Sequence, residues 1–196
     1  MHLAVEVTGR PEDATVRYVI DTSASVFTAR AFATGLLASF GHNPTIAIPG
    51  IEGEVSWNSE TVDQSSLRLL IHADSLTVRD DMSDKDRREI NRKMHEEVLE
   101  SDSYSNIVFA SSHGSASKTG EGQYWVAVNG ELTLHGVTHA LTVPARVSLN
   151  GDTLKAVGEF SLRLSDYEIR PVSAVAGAVK LKDEIKLSFV ISARKA

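Results

Sequence analysis

Apolar residues recur at every second position over most of the chain after Arg17, and this period constrains the fold more than any other feature. A period of two is typical of a β-strand with one face covered and the other in water. The alternating runs lie at residues 17–22, 45–48, 51–57, 67–73, 107–109, 124–134, 137–149, 154–164 and 185–191. About ten such runs joined by hairpin-length loops predict an antiparallel all-β meander that closes into a barrel or folds over into a sandwich.

Strand length favours the barrel. A strand of a dozen residues spans about 40 Å at about 3.4 Å per residue, which is longer than most packed sandwiches use. A barrel of about eight strands either fills its interior with side chains or holds one small ligand. Aromatic residues make up only 6% of the chain, so the inward files are mainly Val, Leu, Ile and Ala. Residues of this size leave room for a cavity, although simple tight packing fits the same pattern.

Two Asn-Gly pairs test this strand assignment, because Asn-Gly is a strong signal for a tight hairpin. Asn150 and Gly151 separate two files, and we predict a turn there. At Asn129 and Gly130 the apolar phase continues on both sides. We therefore predict one long strand with a bulge or bend at Gly130, and a turn at residues 135–138.

Three segments depart from the two-residue period. Residues 83–99 place Ile90, Met94 and Val98 four apart, which predicts one amphipathic helix with Ser83 as its N-cap. Residues 31–39 (AFATGLLAS) fit a second, short helix. Residues 111–122 are rich in Ser, Gly and Thr and predict a flexible hairpin loop. None of these segments separates domains, so we expect a single domain over residues 1–196, with residues 1–15 as a flexible N-terminal extension.

Composition excludes several classes of function. The chain has no cysteine, which removes disulfides and thiolate chemistry. Its net charge of -6 argues against nucleic acid as a partner. No apolar stretch approaches the 18 or so residues that a membrane-spanning helix needs. The N-terminal residues lack the pattern of a secretory signal, so we expect a cytoplasmic location as the chain is numbered, and a periplasmic one if the natural N-terminus has been trimmed.

Catalytic and metal-binding motifs are also missing. Neither a GxSxG elbow nor a glycine-rich nucleotide loop occurs in the sequence. His95 imitates the start of HExxH, but Leu99 occupies the position of the second histidine. His135 and His139 are separated by a predicted turn, which makes joint metal ligation a poor fit. We therefore expect no catalytic residue, no metal ligand and no cofactor.

His42 is the exception that keeps a catalytic alternative open. The segment from Gly41 to Pro44 joins an apolar stretch to a strand, so it places an imidazole near the mouth of the barrel. A histidine bonded to backbone in a turn explains it equally well. The alternatives are a hydrolase or isomerase that uses His42 as general base on a hydrophobic substrate, and a ligand-free, stress-related interaction module with a filled barrel.

The second half of the chain resembles the YceI-like, polyisoprenoid-binding family. Residues 130–138 (GELTLHGVT) are similar to the G-[DE]-L-T-[IL]-x-G-V-T segment of that family, and residues 162–169 (LRLSDYEI) are similar to its turn around S-D-[FY]-x-I. Residues 98–111 and 183–191 match in the same order, and Tyr18 to Asp21 match more weakly. Many members open with an Asp-x-x-His-Ser pattern. Residues 21–25 of this chain (DTSAS) have no histidine, and the chain instead carries Gly41-His42.

The resemblance implies a lipocalin-like barrel that binds a polyisoprenoid, quinone-like or fatty-acyl lipid and carries or sequesters it, and also a homodimer. No ligand residue transfers by motif, so the wall residues are chosen from the files, and each fits plain core as well. We expect the walls to include Tyr18, Val26, Phe27, Phe32, Leu36, Phe40, Val126, Val128, Leu141, Val143, Phe160 and Leu162, with His42 or Tyr167 near an entrance, available to a polar head group.

Overall fold

The structure is a computed structural model that describes residues 15–34, 43–170, 173–174 and 179–196. In chain order, the strands of these residues are β1 (Thr15–Ile20), β2 (Val26–Arg30), β3 (Ala33–Thr34), β4 (Thr45–Ala47), β5 (Ile51–Asn58), β6 (Ser66–His72), β7 (Thr77–Val78), β8 (Asn106–Gly120), β9 (Gln123–Leu134), β10 (Val137–Asn150), β11 (Thr153–Arg163), β12 (Ser173–Ala174), β13 (Val179–Leu181) and β14 (Glu184–Lys195).

Eight of these strands form a closed antiparallel barrel, as the alternation predicts. They hydrogen-bond in the order β1-β5-β6-β8-β9-β10-β11-β14, and β14 pairs back with β1. Along another part of β14, the neighbouring strand is β2 rather than β1. Strand β2 pairs with β4, and β4 pairs with β7. Strands β12, β13 and β3 form a separate small sheet. Closure leaves the barrel strands with few free edges.

The step from β1 to β2 is made by a short 3₁₀ turn at Thr22–Ala24. Asp21 caps this turn, and its carboxylate accepts hydrogen bonds from the backbone N–H groups of Ser23 and Ala24 at 3.1 and 3.2 Å. Val26 then pairs with Val190 on β14, while Ile20 pairs with Ala193. The two strands therefore lie end to end along one edge of β14.

The predicted turns are confirmed. Strand β10 ends at Asn150 and β11 begins at Thr153, with Gly151 at a φ of 55°. The next turn, between β9 and β10, contains His135 and Gly136 at φ values of 52° and 75°. Two successive positive φ values are typical of the type I′ turn, whose twist matches that of the flanking strands.

Gly130 lies inside an unbroken β9, as predicted, but the irregularity is on the neighbouring strand. The register between β8 and β9 shifts between Ser111 and His113, opposite Gly130 and Asn129. A Cβ atom on Gly130 would lie 2.7 Å from the Phe109 ring. Glycine is required here because the aromatic ring of the adjacent strand covers its backbone.

The predicted helix forms from Asp84 onward. Helix α1 covers Asp84–Lys93 and continues as a π-helical turn at Met94–Val98. Ser83 caps it, as expected, by accepting a hydrogen bond from the N–H of Asp86 at 3.1 Å. Among the described residues, no helix is both long and apolar enough to cross a membrane.

Two local predictions are wrong. Residues 111–120 are not a flexible loop, because they continue β8 and pair with β9. Ala33 and Thr34 are not helical, because they pair with Leu181 and Lys180 on β13; residues 35–39 of that predicted helix lie outside the described residues. In both segments, pairing with another strand overrides the local preference of the sequence.

Candidate ligand-binding cavity

The interior of the barrel contains a cavity of about 210 Å³. One buried water needs roughly 10–15 Å³ of such space, so the cavity has room for on the order of fifteen water-sized groups. Its lining comes from the inward face of every barrel strand except β1, together with Phe27 and Ala29 of β2. The alternating files therefore surround a partly empty space.

The lining is almost entirely hydrocarbon. Its larger side chains include Trp57, Leu69, Phe109, Leu132, Leu187 and Phe189. No Asp, Glu, Lys or Arg side chain of the described residues contributes to it. An ion or a strongly polar group placed here would lose its hydration without a compensating partner. The cavity is suited to an apolar ligand.

Trp57 and Leu99 contribute to the cavity lining from different parts of the fold. The rings of Trp57 on β5 and Tyr124 on β9 meet edge to face, with centroids 5.0 Å apart. The indole nitrogen of Trp57 is buried and has no hydrogen-bond partner in the described part of the chain. Leu99 follows the π-helical turn and lines the cavity together with Leu76.

The polar part of the lining lies beside strand β8. Residues 67–72 of β6 pair with residues 106–111 of β8, whereas residues 113–120 of β8 pair only with β9. Where this ladder ends, the cavity is lined by Ser65, Ser66, Ser111, His113 and Ser115. The register pairs His113 with Asn129 and Ser115 with Ala127 in the outward phase, so the side chains of His113 and Ser115 face away from the cavity. The hydroxyls of Ser65 and Ser111 can hydrogen-bond a polar head group while an apolar chain occupies the interior.

Half of the fourteen residues predicted for the wall and the entrance line the cavity. The seven that do are Phe27, Val126, Val128, Leu141, Val143, Phe160 and Leu162. Three others, Leu36, Phe40 and His42, lie outside the described residues. The remaining four are Tyr18, Val26, Phe32 and Tyr167, and none of them lines the cavity.

Val26 and Phe32 lie away from the cavity. Val26 precedes the inward-facing Phe27, so the alternation of the strand turns it outward, and it is 51% exposed. The prediction that both Val26 and Phe27 line the wall contradicts the two-residue alternation of the strand. Phe32 follows the end of β2, and its ring lies beneath the charged groups of Arg30 and Lys182, 5.8 and 5.9 Å from its centroid. Its partners are surface cations rather than cavity residues.

Tyr18 and Tyr167 are buried outside the cavity lining. Tyr167 is 2% exposed and meets the His139 ring edge to face, with centroids 5.4 Å apart. Burial raises the pKa of Tyr167, and the nearby carboxylate of Asp166 raises it further. Burial likewise raises the pKa of Tyr18, with a smaller contribution from Asp152. Both side chains act as neutral core residues at ordinary pH.

Several cavity residues were not among the predicted ones, although the alternation marks them. Trp57, Phe109 and Phe189 occupy the inward phase of their strands. The same phase selects Leu69, Leu132 and Leu187. Continuing every file around the barrel, rather than choosing individual residues, would have found them.

The histidines considered as metal ligands contact aromatic rings. The His135 ring lies 4.2 Å from that of Tyr104, and its Nε2 is 3.4 Å from Oε1 of Glu100, without the geometry of a hydrogen bond. His139 contacts Tyr167 instead. Within the described ranges, no three His, Asp or Glu side chains are grouped so that they could hold a metal ion.

Comparison with known proteins agrees with this architecture. The family profile of the YceI-like domain matches residues 18–193. BcnA of Burkholderia cenocepacia superposes with a TM-score of 0.66 at 21% identity, over 88% of this chain and 98% of that one. A polyisoprenoid binding domain from Saccharophagus degradans, implicated in plant cell wall breakdown, gives a TM-score of 0.68 at 14% identity, over 92% of this chain and 99% of that one. The YceI protein of Campylobacter jejuni gives 0.61 at 12% identity, over 80% and 87%. No curated protein matches the chain.

Proposed function

Since this chain belongs to the YceI-like family, we propose that its barrel binds one long-chain apolar lipid and carries or sequesters it without catalysing a reaction. The observation that carries the proposal is the hydrocarbon-lined cavity of about 210 Å³ inside the barrel. The ligand classes are a polyisoprenoid, a quinone-like molecule or a fatty-acyl chain. The Saccharophagus degradans neighbour is named as a polyisoprenoid binding domain, which supports the first of these.

The cavity has enough apolar wall to bind such a chain. Each buried methylene contributes about 0.8 kcal/mol, so a dozen would contribute roughly 10 kcal/mol before the costs of association and ordering. Micromolar affinity corresponds to about 8 kcal/mol. A methylene is about the size of a water molecule, and the cavity holds on the order of fifteen groups of that size. Burial of a single acyl or prenyl segment is therefore sufficient for useful affinity.

The polar margin beside β8 supports a ligand with a polar end. Ser65 and Ser111 can hydrogen-bond a carboxyl, hydroxyl or carbonyl group there, while the chain lies among the aliphatic files. On this proposal, replacing Ser111 with Ala weakens the binding of a fatty acid more than the binding of a plain hydrocarbon of equal length.

The proposal is tested by filling the cavity. Val128 lines it, whereas Val157 is on the outer face of β11 and is 39% exposed. We expect Val128→Trp to reduce uptake of a fluorescent polyene fatty acid by at least about tenfold while the protein still folds, because the new ring occupies the ligand's space. Val157→Trp is the matched control and should leave uptake unchanged.

Two results would contradict the proposal. Equal uptake by both variants would place the probe elsewhere on the protein. A loss of stability in Val128→Trp, with no uptake by the wild type, would indicate a packed core without a ligand. Thermal unfolding of both variants separates these cases.

The remaining expectations stay predictions. A homodimer and a cytoplasmic location accompany the carrier role, and sedimentation of the purified protein tests the first. Turnover of a hydrophobic ester by the wild type that is lost in His42→Ala would favour the catalytic alternative instead.

A further inference from the structure

Five adjacent strands carry a continuous row of outward-facing residues on the surface of the barrel. The strand register pairs Trp125 with Arg146, Arg146 with Val157, Val157 with Val190 and Val190 with Val26. At about 4.8 Å between strands, this outer row is about 19 Å long. Four of its five members are apolar. Single exposed apolar residues are ordinary, but a contiguous row of them marks an interaction site.

The exposure of the row is high for such residues. Val26, Trp125 and Val157 are 51%, 50% and 39% exposed. Arg146 lies over the Trp125 ring, with its guanidinium carbon 4.9 Å from the centroid. This contact keeps the indole on the surface beside a fixed positive charge. An aromatic ring with a cation next to it is typical of side chains at a lipid–water interface.

The surroundings of the row are basic, although the chain as a whole has a net charge of -6. On these five strands, the outward charged side chains within four residues of the row are Arg30, Arg146, Lys155, Lys186 and Arg194, against one carboxylate, Glu159. Lys186 is paired with Glu159 at 3.0 Å and Arg194 with Asp21 at 3.1 Å. Arg30, Arg146 and Lys155 form no ion pair with another described residue, so they supply the net positive charge of this surface. The surface therefore combines apolar contact with positive charge, which fits an anionic partner.

Under the row, Phe189 contributes to both faces of the barrel wall. The ladder between β10 and β11 ends at Arg146 and Val157. The next residue, Gly158, has no side chain, and Phe189 lines both the inner cavity and the groove under the row. One aromatic ring thus separates the outer surface from the lipid space.

We propose that the outer row, Trp125, Arg146, Val157, Val190 and Val26, is the surface by which the protein docks on an anionic lipid membrane. The choice of a lipid surface rests on the proposed function, because a carrier exchanges its ligand with a membrane. A second copy of the chain is a poorer fit, since a two-fold interface would bring together two copies of a surface with more cationic than anionic side chains.

The test uses the fluorescence of Trp125. The chain has two tryptophans, and Trp57 is buried before docking, at 4% exposure. A blue shift of the emission on docking therefore reports the transfer of Trp125 into an apolar environment. We expect the wild type to shift and to sediment with vesicles of roughly one part phosphatidylglycerol to two parts phosphatidylcholine, and not with pure phosphatidylcholine.

Two matched pairs of variants locate the surface. Arg146→Glu and Val157→Asp should weaken vesicle binding by at least about tenfold, because each replaces an attractive contact with a carboxylate facing an anionic surface. Arg68→Glu on β6 and Val19→Asp on β1 make the same changes at exposed positions outside the row, and should bind as the wild type does.

Failure of docking and failure of the carrier role are distinguishable. Absence of vesicle binding by the wild type would overturn the docking proposal, and uptake of the fluorescent fatty acid in vesicle-free solution would leave the proposed function intact. Self-association abolished by Arg146→Glu or Val157→Asp, without vesicle binding, would assign the row to a second copy and likewise overturn it. Vesicle binding without any uptake would support docking and refute the carrier role.

Discussion

The part of the barrel wall formed by β9, β10, β11, β14 and β2 is apolar on both its inner and its outer face, for different reasons. The inner face of the same wall carries the residues that are next in sequence to the outer row. The strand register pairs Val126 with Ala145, Gly158 with Phe189, and Phe189 with Phe27. We call these five residues the inner row. Burial in the barrel accounts for their apolar character. The outer row has no such explanation, because its members face outward on the same five strands.

The two rows also differ in how tightly their residues fit. Gly158 leaves space for the Phe189 ring, since a Cβ atom at that position would lie 2.5 Å from it. Phe27 and Phe189 meet edge to face, with centroids 5.9 Å apart. In the outer row, the valines have neighbours on one side only. Packing inside the barrel explains why the residues of the inner row are apolar. Docking on another surface, as we propose, explains the apolar residues of the outer row.

Replacing Phe27 or its neighbour Val26 on β2 by alanine should show the largest difference in stability between the two rows. We expect Phe27→Ala to lower the free energy of unfolding by about 3 kcal/mol or more, through lost contacts with Phe189 and an enlarged cavity. Val26→Ala, at the adjacent outward position, should cost less than about 0.5 kcal/mol. Urea unfolding measures both, and similar losses would erase the distinction between the faces.

Adding a side chain should separate the rows in the same direction. Gly158→Val places atoms against Phe189 and within 2.3 Å of the Pro144 carbonyl oxygen, so we expect a loss of about 2–3 kcal/mol. Ser161→Val also introduces a valine, at an exposed position of the same strand, and should change stability by less than about 0.5 kcal/mol. A Gly158→Val protein as stable as the wild type would show that the inner wall is loosely packed.

High pH should act through the buried tyrosines. Because burial raises the pKa of Tyr167, the folded state holds its proton after the unfolded state has released it. Its stability contribution is complete below about pH 10 and is lost as pH rises through the folded pKa. Tyr167→Phe should therefore flatten the fall in unfolding free energy above about pH 10. A slope identical to that of the wild type would exclude Tyr167 as its source.

Low pH should act through a surface carboxylate, with the smallest effect. The hydroxyl and backbone N–H of Ser165 donate to Asp183 at 2.6 and 2.7 Å and hold the pKa of its carboxyl below the usual value. This contribution is present above about pH 4 and is lost as pH falls through the folded pKa. Asp183→Asn should reduce the acid sensitivity of unfolding only slightly, because the site is exposed. An unchanged acid transition would argue that Ser165 does not hold this carboxylate in solution.

The sequence predicts the barrel because apolar residues at every second position indicate strands with one buried face, and the strands of the structure have this pattern. It also predicts the turns at Asn150 and His135, where the phase of the files breaks. It fails at residues 111–120, where Ser and Gly favour a loop but pairing with β9 makes a strand. Composition cannot show which segments meet across the barrel.

For the cavity, the sequence predicts which face is inward but not whether that face is filled. Phe27 and Val128 follow from the alternation, whereas the empty space depends on how side chains from opposite walls meet. The outer row could not be predicted, because its five residues lie on five separate strands and are joined into one row only by the strand register.

The central claim is that the barrel holds one apolar lipid. Organic extraction of the purified protein, followed by mass spectrometry, tests it most directly. The account predicts about one prenyl or acyl molecule per chain in the wild type and in Val157→Trp, and none in Val128→Trp. Protein from several expression hosts that contains no such molecule and takes up none when it is added would contradict the account.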